Sequence, residues 1–193
     1  SIFDLDGRPM WQGTPPGLDL GCAGHGRRVA HPIGTAAGPH TQLAQNIALS
    51  YLAGGRILEL KTVQVRDDLE IPRPCIDAAN VGFNVEWSQE LTIEESTREY
   101  AKGALLIAAL ERIGIPTELR ASADRAVLFD LSIGYDLAGI QSERVAGFID
   151  AMLEPASLVD RLLDELPPDM RHYRDLVIQK GLVRCITLST FHG

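Results

Sequence analysis

Cysteine is scarce in this chain, and its three cysteines, Cys22, Cys75 and Cys185, lie far apart in a sequence of 193 residues. No two of them form a C-x-x-C pair, which argues against an iron–sulfur cluster or a structural zinc ion held within this chain. Thiols scattered in this way are typical of proteins in a reducing compartment. We therefore expect a cytoplasmic protein with no metal site of its own.

Positive charge and long apolar runs are also in short supply. The sequence has 18 lysines and arginines against 26 aspartates and glutamates, which gives a net charge of −8. That balance argues against a nucleic-acid partner, because phosphate contacts need a basic face. The longest apolar runs, such as residues 104–110, are far shorter than the roughly 20 residues of a membrane-spanning helix. No charged and then apolar leader opens the sequence, so we expect neither a membrane partner nor secretion.

The two ends of the sequence indicate a piece of a longer chain. The first residue is Ser1 rather than an initiator methionine, and the last residues, 187–193, follow a strand-like apolar run at the point where a loop is expected. We therefore expect further structure beyond the 193 residues given.

Strand-like apolar segments alternate with helical ones after residue 30. The predicted strands are residues 32–37, 56–63, 126–133 and 182–188, and the predicted helices are residues 41–53, 88–113, 142–153 and 158–179, the last of them broken at Pro167 and Pro168. Thr41 is the predicted N-cap of the first helix. Four β-α units predict a parallel α/β sheet. Two architectures remain open, a small open sheet and the first half of a (β/α)8 barrel. The loop-rich residues 1–30 are predicted to form an N-terminal cap on the unit of residues 31–193.

Two neighbouring strand ends carry the features that indicate a site. The first predicted strand ends in the small residues 34–38, and the second ends at Lys61. Small residues let a flat cofactor approach the backbone, and a lysine at the next strand end can reach an electron-rich ring atom or a phosphate. The carboxyl ends of successive strands are where α/β barrels build active sites. The alternatives are a solvated Lys61 and a Gly38 that only serves a turn.

Several segments in linked order carry a resemblance to a known family. They are residues 33–38, 60–63, 73–76 and 80–84, with residues 36–46 and 187–193 especially similar. They resemble the opening half of dihydroorotate-dehydrogenase-like FMN barrels. Within that family the chain is most similar to subunits described as selenate reductase, which are relatives of dihydropyrimidine dehydrogenase. The resemblance implies the N-terminal half of a (β/α)8 TIM barrel over residues 31–193.

The resemblance also implies roles for particular residues. It places Ala36, Ala37 and Gly38 against FMN, and it gives Lys61, with Thr62 beside it, contacts to both flavin and substrate. The implied substrate-binding residues lie together in one loop: Asn80, Gly82, Phe83 and Asn84.

The end of the fourth strand departs from the family pattern. The resemblance implies catalytic positions at Ser189 and Thr190, where the family has a serine followed by a catalytic cysteine or serine. A threonine hydroxyl is a poor general acid or base near neutral pH, because its pKa lies far from that range. The phosphate of FMN binds such barrels after strands 7 and 8, which the predicted elements do not include.

The implied function is that of an FMN-dependent oxidoreductase acting on a C=C or C=N bond of a small substrate, including a nitrogen heterocycle. Iron–sulfur clusters and FAD are implied only in electron-transfer modules or subunits outside these residues, which would be its partners. Two other functions remain open. One is a non-catalytic barrel scaffold in an oxidoreductase complex, and the other is a small α/β binding domain without flavin.

Overall fold

The computed structural model describes residues 11–63, 65, 76–77, 83–84, 91–114, 126–165, 167–174 and 185–190. Its strands are β1 (Cys22–Gly24), β2 (Arg27–Val29), β3 (Gly34–Thr35), β4 (Ile57–Glu59), β5 (Ile76–Asp77), β6 (Phe83–Asn84), β7 (Leu128–Tyr135) and β8 (Cys185–Thr190). Its helices are α1 (Ala44–Leu52), α2 (Ile93–Ile113), α3 (Leu137–Ile140), α4 (Glu143–Leu153) and α5 (Ala156–Glu165), with 3-10 turns at Pro39–Thr41 and Pro168–Tyr173.

Four parallel strands form the central sheet, in the order β3, β4, β7, β8. Thr35 pairs with Leu58, Leu58 pairs with Phe129, and Ser132 pairs with Thr187. Each strand lies beside the next parallel strand of the chain, without the reversal of order that marks a doubly wound sheet. A (β/α)8 barrel has this order of strands. The predicted parallel sheet is therefore confirmed, and the half-barrel is favoured over the small open sheet.

The central strand β7 separates a helix-covered face from an opposite, more polar face. Leu131 and Ile133 are fully buried and belong to the hydrophobic core that the helices cover. Side chains alternate along a strand, so Asp130 and Ser132 lie on the opposite face. In a closed barrel that opposite face is the interior. The largest side chains of the helix-side core include Tyr51, Tyr100, Leu105 and Met152.

A β-hairpin covers the amino-terminal end of the sheet. β1 and β2 pair antiparallel, and positive φ angles at His25 and Gly26 form the tight turn between them. The chain then runs beside the start of β7, where the Ala30 amide donates to the Ala126 carbonyl at 3.2 Å. A Cβ on Gly24 would lie 3.6 Å from the Leu128 side chain. The hairpin thus contacts the interior face of the sheet. The predicted domain boundary at residue 30 stays a prediction.

Two predicted helix starts are wrong. Thr41 does not cap a helix, because it ends the 3-10 turn and its hydroxyl bonds back to Gly38, so α1 begins only at Ala44. Helix α2 begins at Ile93 rather than at residue 88. Thr92 stops it there, because its hydroxyl accepts the Glu95 amide while the Glu95 carboxylate accepts the Thr92 amide. The short helix α3 and the extension of β8 to Thr190 were also not predicted.

Gly34 is the glycine that the sheet requires most strictly. A Cβ at this position would lie 1.5 Å from the Ile57 carbonyl oxygen of the neighbouring strand, which is backbone and cannot turn away. Replacing Gly34 by alanine would push β3 and β4 apart where the sheet begins.

We expect Gly34→Ala to destabilise the 193-residue chain by about 3 kcal/mol, the upper range for overpacking a filled site. Gly147→Ala is the matched control, since its Cβ would meet nothing within 4 Å on the exposed face of α4. That control should gain about 0.5 to 1 kcal/mol from helix propensity. Urea unfolding at one protein concentration, followed by circular dichroism, compares the two. Equal midpoints would show that β3 and β4 do not approach this closely.

Candidate active site at the carboxyl ends of the strands

The candidate site starts with the turn that follows β3. Ala36 is exposed, Ala37 is half-buried and Gly38 is buried. The Ala37 amide donates to Glu59 Oε2 at 2.9 Å, and the Gly38 amide donates to Thr41 Oγ1 at 3.2 Å. Both strand-end amides are therefore held by side chains of the neighbouring strand and of the 3-10 turn.

The backbone angles of Gly38 do not require a glycine. Its φ is 178°, which is extended backbone that any residue adopts. A Cβ at Gly38 would lie 2.7 Å from Cε1 of the exposed His40 ring. The small residue at this position therefore leaves room for His40, and the predicted contact of Gly38 with a cofactor stays a prediction.

The backbone bulges at Lys61, two residues beyond the end of β4. Glu59 pairs with Asp130 and Val63 forms an isolated parallel bridge with Ile133, so four steps along the chain from Glu59 match three steps along β7. One extra residue therefore lies between the two pairs, which defines a β-bulge. Lys61 and Thr62 both fit between the core residues Leu60 and Val63, where a regular strand has room for one.

Lys61 is buried at this bulge, with 5% of its surface exposed. Its Nζ donates to the Thr62 carbonyl at 3.2 Å, and its own amide donates to the Thr41 carbonyl at 3.4 Å. Its carbonyl accepts the Tyr100 hydroxyl at 2.6 Å. Thr62 Oγ1 lies 2.8 Å from Ser132 Oγ on β7. The Lys61 backbone is thus held by α2 and by the 3-10 turn, and the side chain of Thr62 is held by β7.

The site combines one buried cation with two carboxylates on adjacent strands. Glu59 and Asp130 are in register, and both are half-buried. A buried ammonium group can stabilise negative charge that develops on a bound molecule, since its donors need no reorganisation. Burial raises the pKa of the Tyr100 hydroxyl, which therefore stays protonated and donates to the Lys61 carbonyl.

The other predicted site residues lie on elements further along the chain. Ser189 pairs with Gly134 and Thr190 pairs with Tyr135, which places both at the carboxyl end of β8. Phe83 and Asn84 form β6, which pairs with β5 in a separate two-stranded sheet. Asn80 and Gly82 lie outside the described residues. The structure thus brings together residues 36–38 with Lys61 and Thr62, and the assignment of all these residues to a site stays a prediction.

Glu59 was not among the residues that the sequence predicted for the site. The structure places the Glu59 carboxylate on the Ala37 amide. Arg56 is fully buried between the Trp11 and Tyr51 rings, and its Nη1 donates to the Tyr51 and Gly55 carbonyls. Glu59 stands two positions before Lys61, so strand alternation was the signal that could have placed it in the site.

A cavity of about 530 Å³ lies elsewhere, between β3 and the end of α1. Its lining includes Trp11, Leu49 and Ala53 together with Gly34 and Thr35 of β3, but not residues 36–38, Lys61 or Thr62. In the part of the chain that the structure describes, no three histidine, cysteine or acidic side chains are grouped to hold a metal ion. No helix among the described residues is long and apolar enough to cross a membrane.

Half-barrel topology and a lysine-bearing strand end define the chain as an α/β-barrel protein. The family profile described as "Oxidoreductase YgfK, N-terminal TIM-barrel domain" matches residues 19–193. The chain belongs to this family, which confirms the predicted TIM barrel and relates the chain to proteins described as oxidoreductases.

Two curated relatives carry the name "Putative oxidoreductase YgfK", one from Escherichia coli strain K12 and one from Escherichia coli O157:H7. Each is 38% identical to this chain over 187 residues. The match covers 87% of this chain and 18% of each relative, so the chain spans about a fifth of their length. No solved structure matches the chain.

Tyr100→Phe tests the contact between α2 and the Lys61 backbone. Loss of the hydroxyl leaves the buried Lys61 carbonyl without this donor, which should cost about 1 to 2 kcal/mol at neutral pH. Because burial raises the Tyr100 pKa in the folded state, wild-type stability should fall as pH rises above the ordinary tyrosine value of about 10. The difference in unfolding free energy between wild type and variant should therefore shrink in that pH range. Urea unfolding from pH 8 to 11 measures this difference. A difference that stays constant would contradict the burial of the Tyr100 hydroxyl in its protonated form.

Proposed function

We propose that this chain supplies the first four strands of an FMN-dependent oxidoreductase barrel of the dihydroorotate-dehydrogenase-like type. The observation that supports the proposal best is the pairing of a small-residue strand end with a buried lysine on the next strand. Residues 36–38 and Lys61 are joined there through Thr41, which bonds to both. In this family of oxidoreductases, such a pairing is suited to a flat, electron-accepting ring.

The described residues fit FMN. The side chains at the end of β3 are no larger than a methyl group, and Ala36 is exposed, so a planar ring has access to the backbone. Lys61 brings an ammonium group to the adjacent strand end. FMN supplies hydride-transfer chemistry when it is bound, and the protein supplies position and charge.

Each residue of the proposed site has a defined task. Lys61 holds negative charge on the reduced ring or on the substrate. Thr62 is oriented by its bond to Ser132. Asn80 and Asn84 would orient the substrate through amide hydrogen bonds. Ser189 and Thr190 would stand beside it, but a threonine hydroxyl does not exchange protons readily near neutral pH. The acid of the reaction therefore has to come from another part of the complete protein.

The proposed reaction moves a hydride and a proton between reduced FMN and a C=C or C=N bond of a small substrate, with nitrogen heterocycles as the preferred class. We place the electron supply, through iron–sulfur clusters and FAD as in the selenate reductase subunit-like proteins, in the four fifths of the relatives' length that this chain does not cover. We expect the complete protein to work in the cytoplasm.

Flavin analysis of the full-length protein tests the proposed function. The protein is purified, denatured and centrifuged, and the released flavins are separated by chromatography and quantified. We expect about one FMN per chain, separate from any FAD. A protein without FMN would overturn the proposal and favour the non-catalytic scaffold or the flavin-free binding domain.

Lys61→Ala tests the role of the lysine. Removing the cation should destabilise the reduced anionic flavin 10- to 100-fold relative to the oxidised form, a fall of roughly 30 to 60 mV in the two-electron midpoint potential. Lys61→Arg keeps the charge and should keep most of the potential. Lys102→Ala is the control, because that lysine pairs with Glu99 on α2. Redox titration of the FMN in the full-length variants measures the shift. An unchanged potential in Lys61→Ala with FMN still bound would reject the role.

A further inference from the structure

Two amides at the end of β3, those of Ala37 and Gly38, are held by side chains rather than by the sheet. The last backbone pair between β3 and β4 is Thr35 with Leu58. Two residues further on, the Ala37 amide is held by Glu59 Oε2 at 2.9 Å, although 22 positions separate the two residues in the chain. A carboxylate thus replaces the strand carbonyl as acceptor at the place where the sheet ends.

We propose that Glu59 is a positioning residue for the cofactor. Its carboxylate fixes the backbone of residues 36–38 in the conformation that receives the flavin ring. This inference rests on the proposed function, and it deepens that function by naming a residue that acts on the cofactor through the protein backbone.

Three observations support the role. Glu59 is in register with Asp130, so it lies on the interior face of the sheet. It is half-buried, and a bond from an amide to a carboxylate is stronger than a bond between neutral groups. Side chains at residues 36 and 37 are single methyl groups, so packing offers little to hold this backbone in place.

The bond completes a connected network around the strand end. Glu59 holds Ala37, and Thr41 holds Gly38 on one side and the Lys61 amide on the other. The small-residue strand end and the lysine are therefore tied together at two points. Loss of the Glu59 contact frees the Ala37 amide but keeps the bonds that Thr41 makes to Gly38 and to the Lys61 amide. The strand end therefore becomes more mobile while the Lys61 backbone keeps its position.

The experiment uses the full-length protein, stripped of flavin and titrated with FMN. Glu59→Ala removes the acceptor. Glu59→Gln keeps an acceptor oxygen without the charge. Glu99→Ala is a matched control, because Glu99 Oε2 also accepts a backbone amide at 2.9 Å, that of Ala44 at the start of α1, away from the strand end. The two readouts are the Kd for FMN and the rate of amide hydrogen exchange over residues 34–41.

We expect Glu59→Ala to bind FMN about tenfold more weakly and to exchange the Ala37 amide faster, also without flavin. Glu59→Gln should bind within threefold of wild type, and Glu99→Ala should change neither readout. A Glu59→Ala protein that exchanges faster but binds FMN like wild type would overturn the inference. So would a Glu59→Gln protein that binds as weakly as Glu59→Ala.

Two further outcomes of this experiment also have a defined interpretation. If Glu59→Ala does not fold, Glu59→Asp takes its place, because its carboxylate is one methylene too short for Ala37. It should weaken FMN binding like the alanine variant, and wild-type affinity would overturn the inference. If wild-type protein binds no FMN, the proposed function fails, and hydrogen exchange alone then shows whether Glu59 fixes the Ala37 amide.

Discussion

The parallel pairing of β4 with β7, with its one-residue bulge at Lys61, is the constraint on which the rest of the site depends. Leu60 and Val63 both reach the helix-side core, and the backbone between them accommodates two residues instead of one. Lys61 and Thr62 are therefore both kept off that core. Without the bulge, Lys61 would take the place opposite Ser132, and the bond that Ser132 makes to Thr62 would be lost.

The bulge is held by elements that come from distant parts of the sequence. Helix α2 contributes the Tyr100 hydroxyl, whose burial keeps it a donor to the Lys61 carbonyl. The 3-10 turn contributes the Thr41 carbonyl to the Lys61 amide. Each bond gives a backbone group of Lys61 a partner beyond the end of the paired strands, which is what a buried peptide group requires. The helix layer thus fixes the geometry of the strand ends as well as covering the core.

The sequence predicted the features that depend on local pattern and missed those that depend on register. Apolar runs located the parallel strands, and the position of Lys61 at a strand end followed from them. The start of α2 was open to prediction, since Thr92 and Glu95 have the spacing of a capping box. The bulge and the bond from Ala37 to Glu59 were not, because they follow from how strands far apart in sequence align. Gly34 shows the same limit: its close approach to Ile57 exists only once β3 and β4 are paired.

A structure of the full-length protein with FMN bound is the measurement that decides whether the ends of β3 and β4 form a cofactor site. We expect an FMN ring against the backbone of residues 36–38, Lys61 Nζ within hydrogen-bond distance of the ring or of a bound substrate, and Glu59 still on the Ala37 amide. A barrel whose interior at these strand ends is filled by protein side chains, with FMN bound elsewhere or absent, would contradict it.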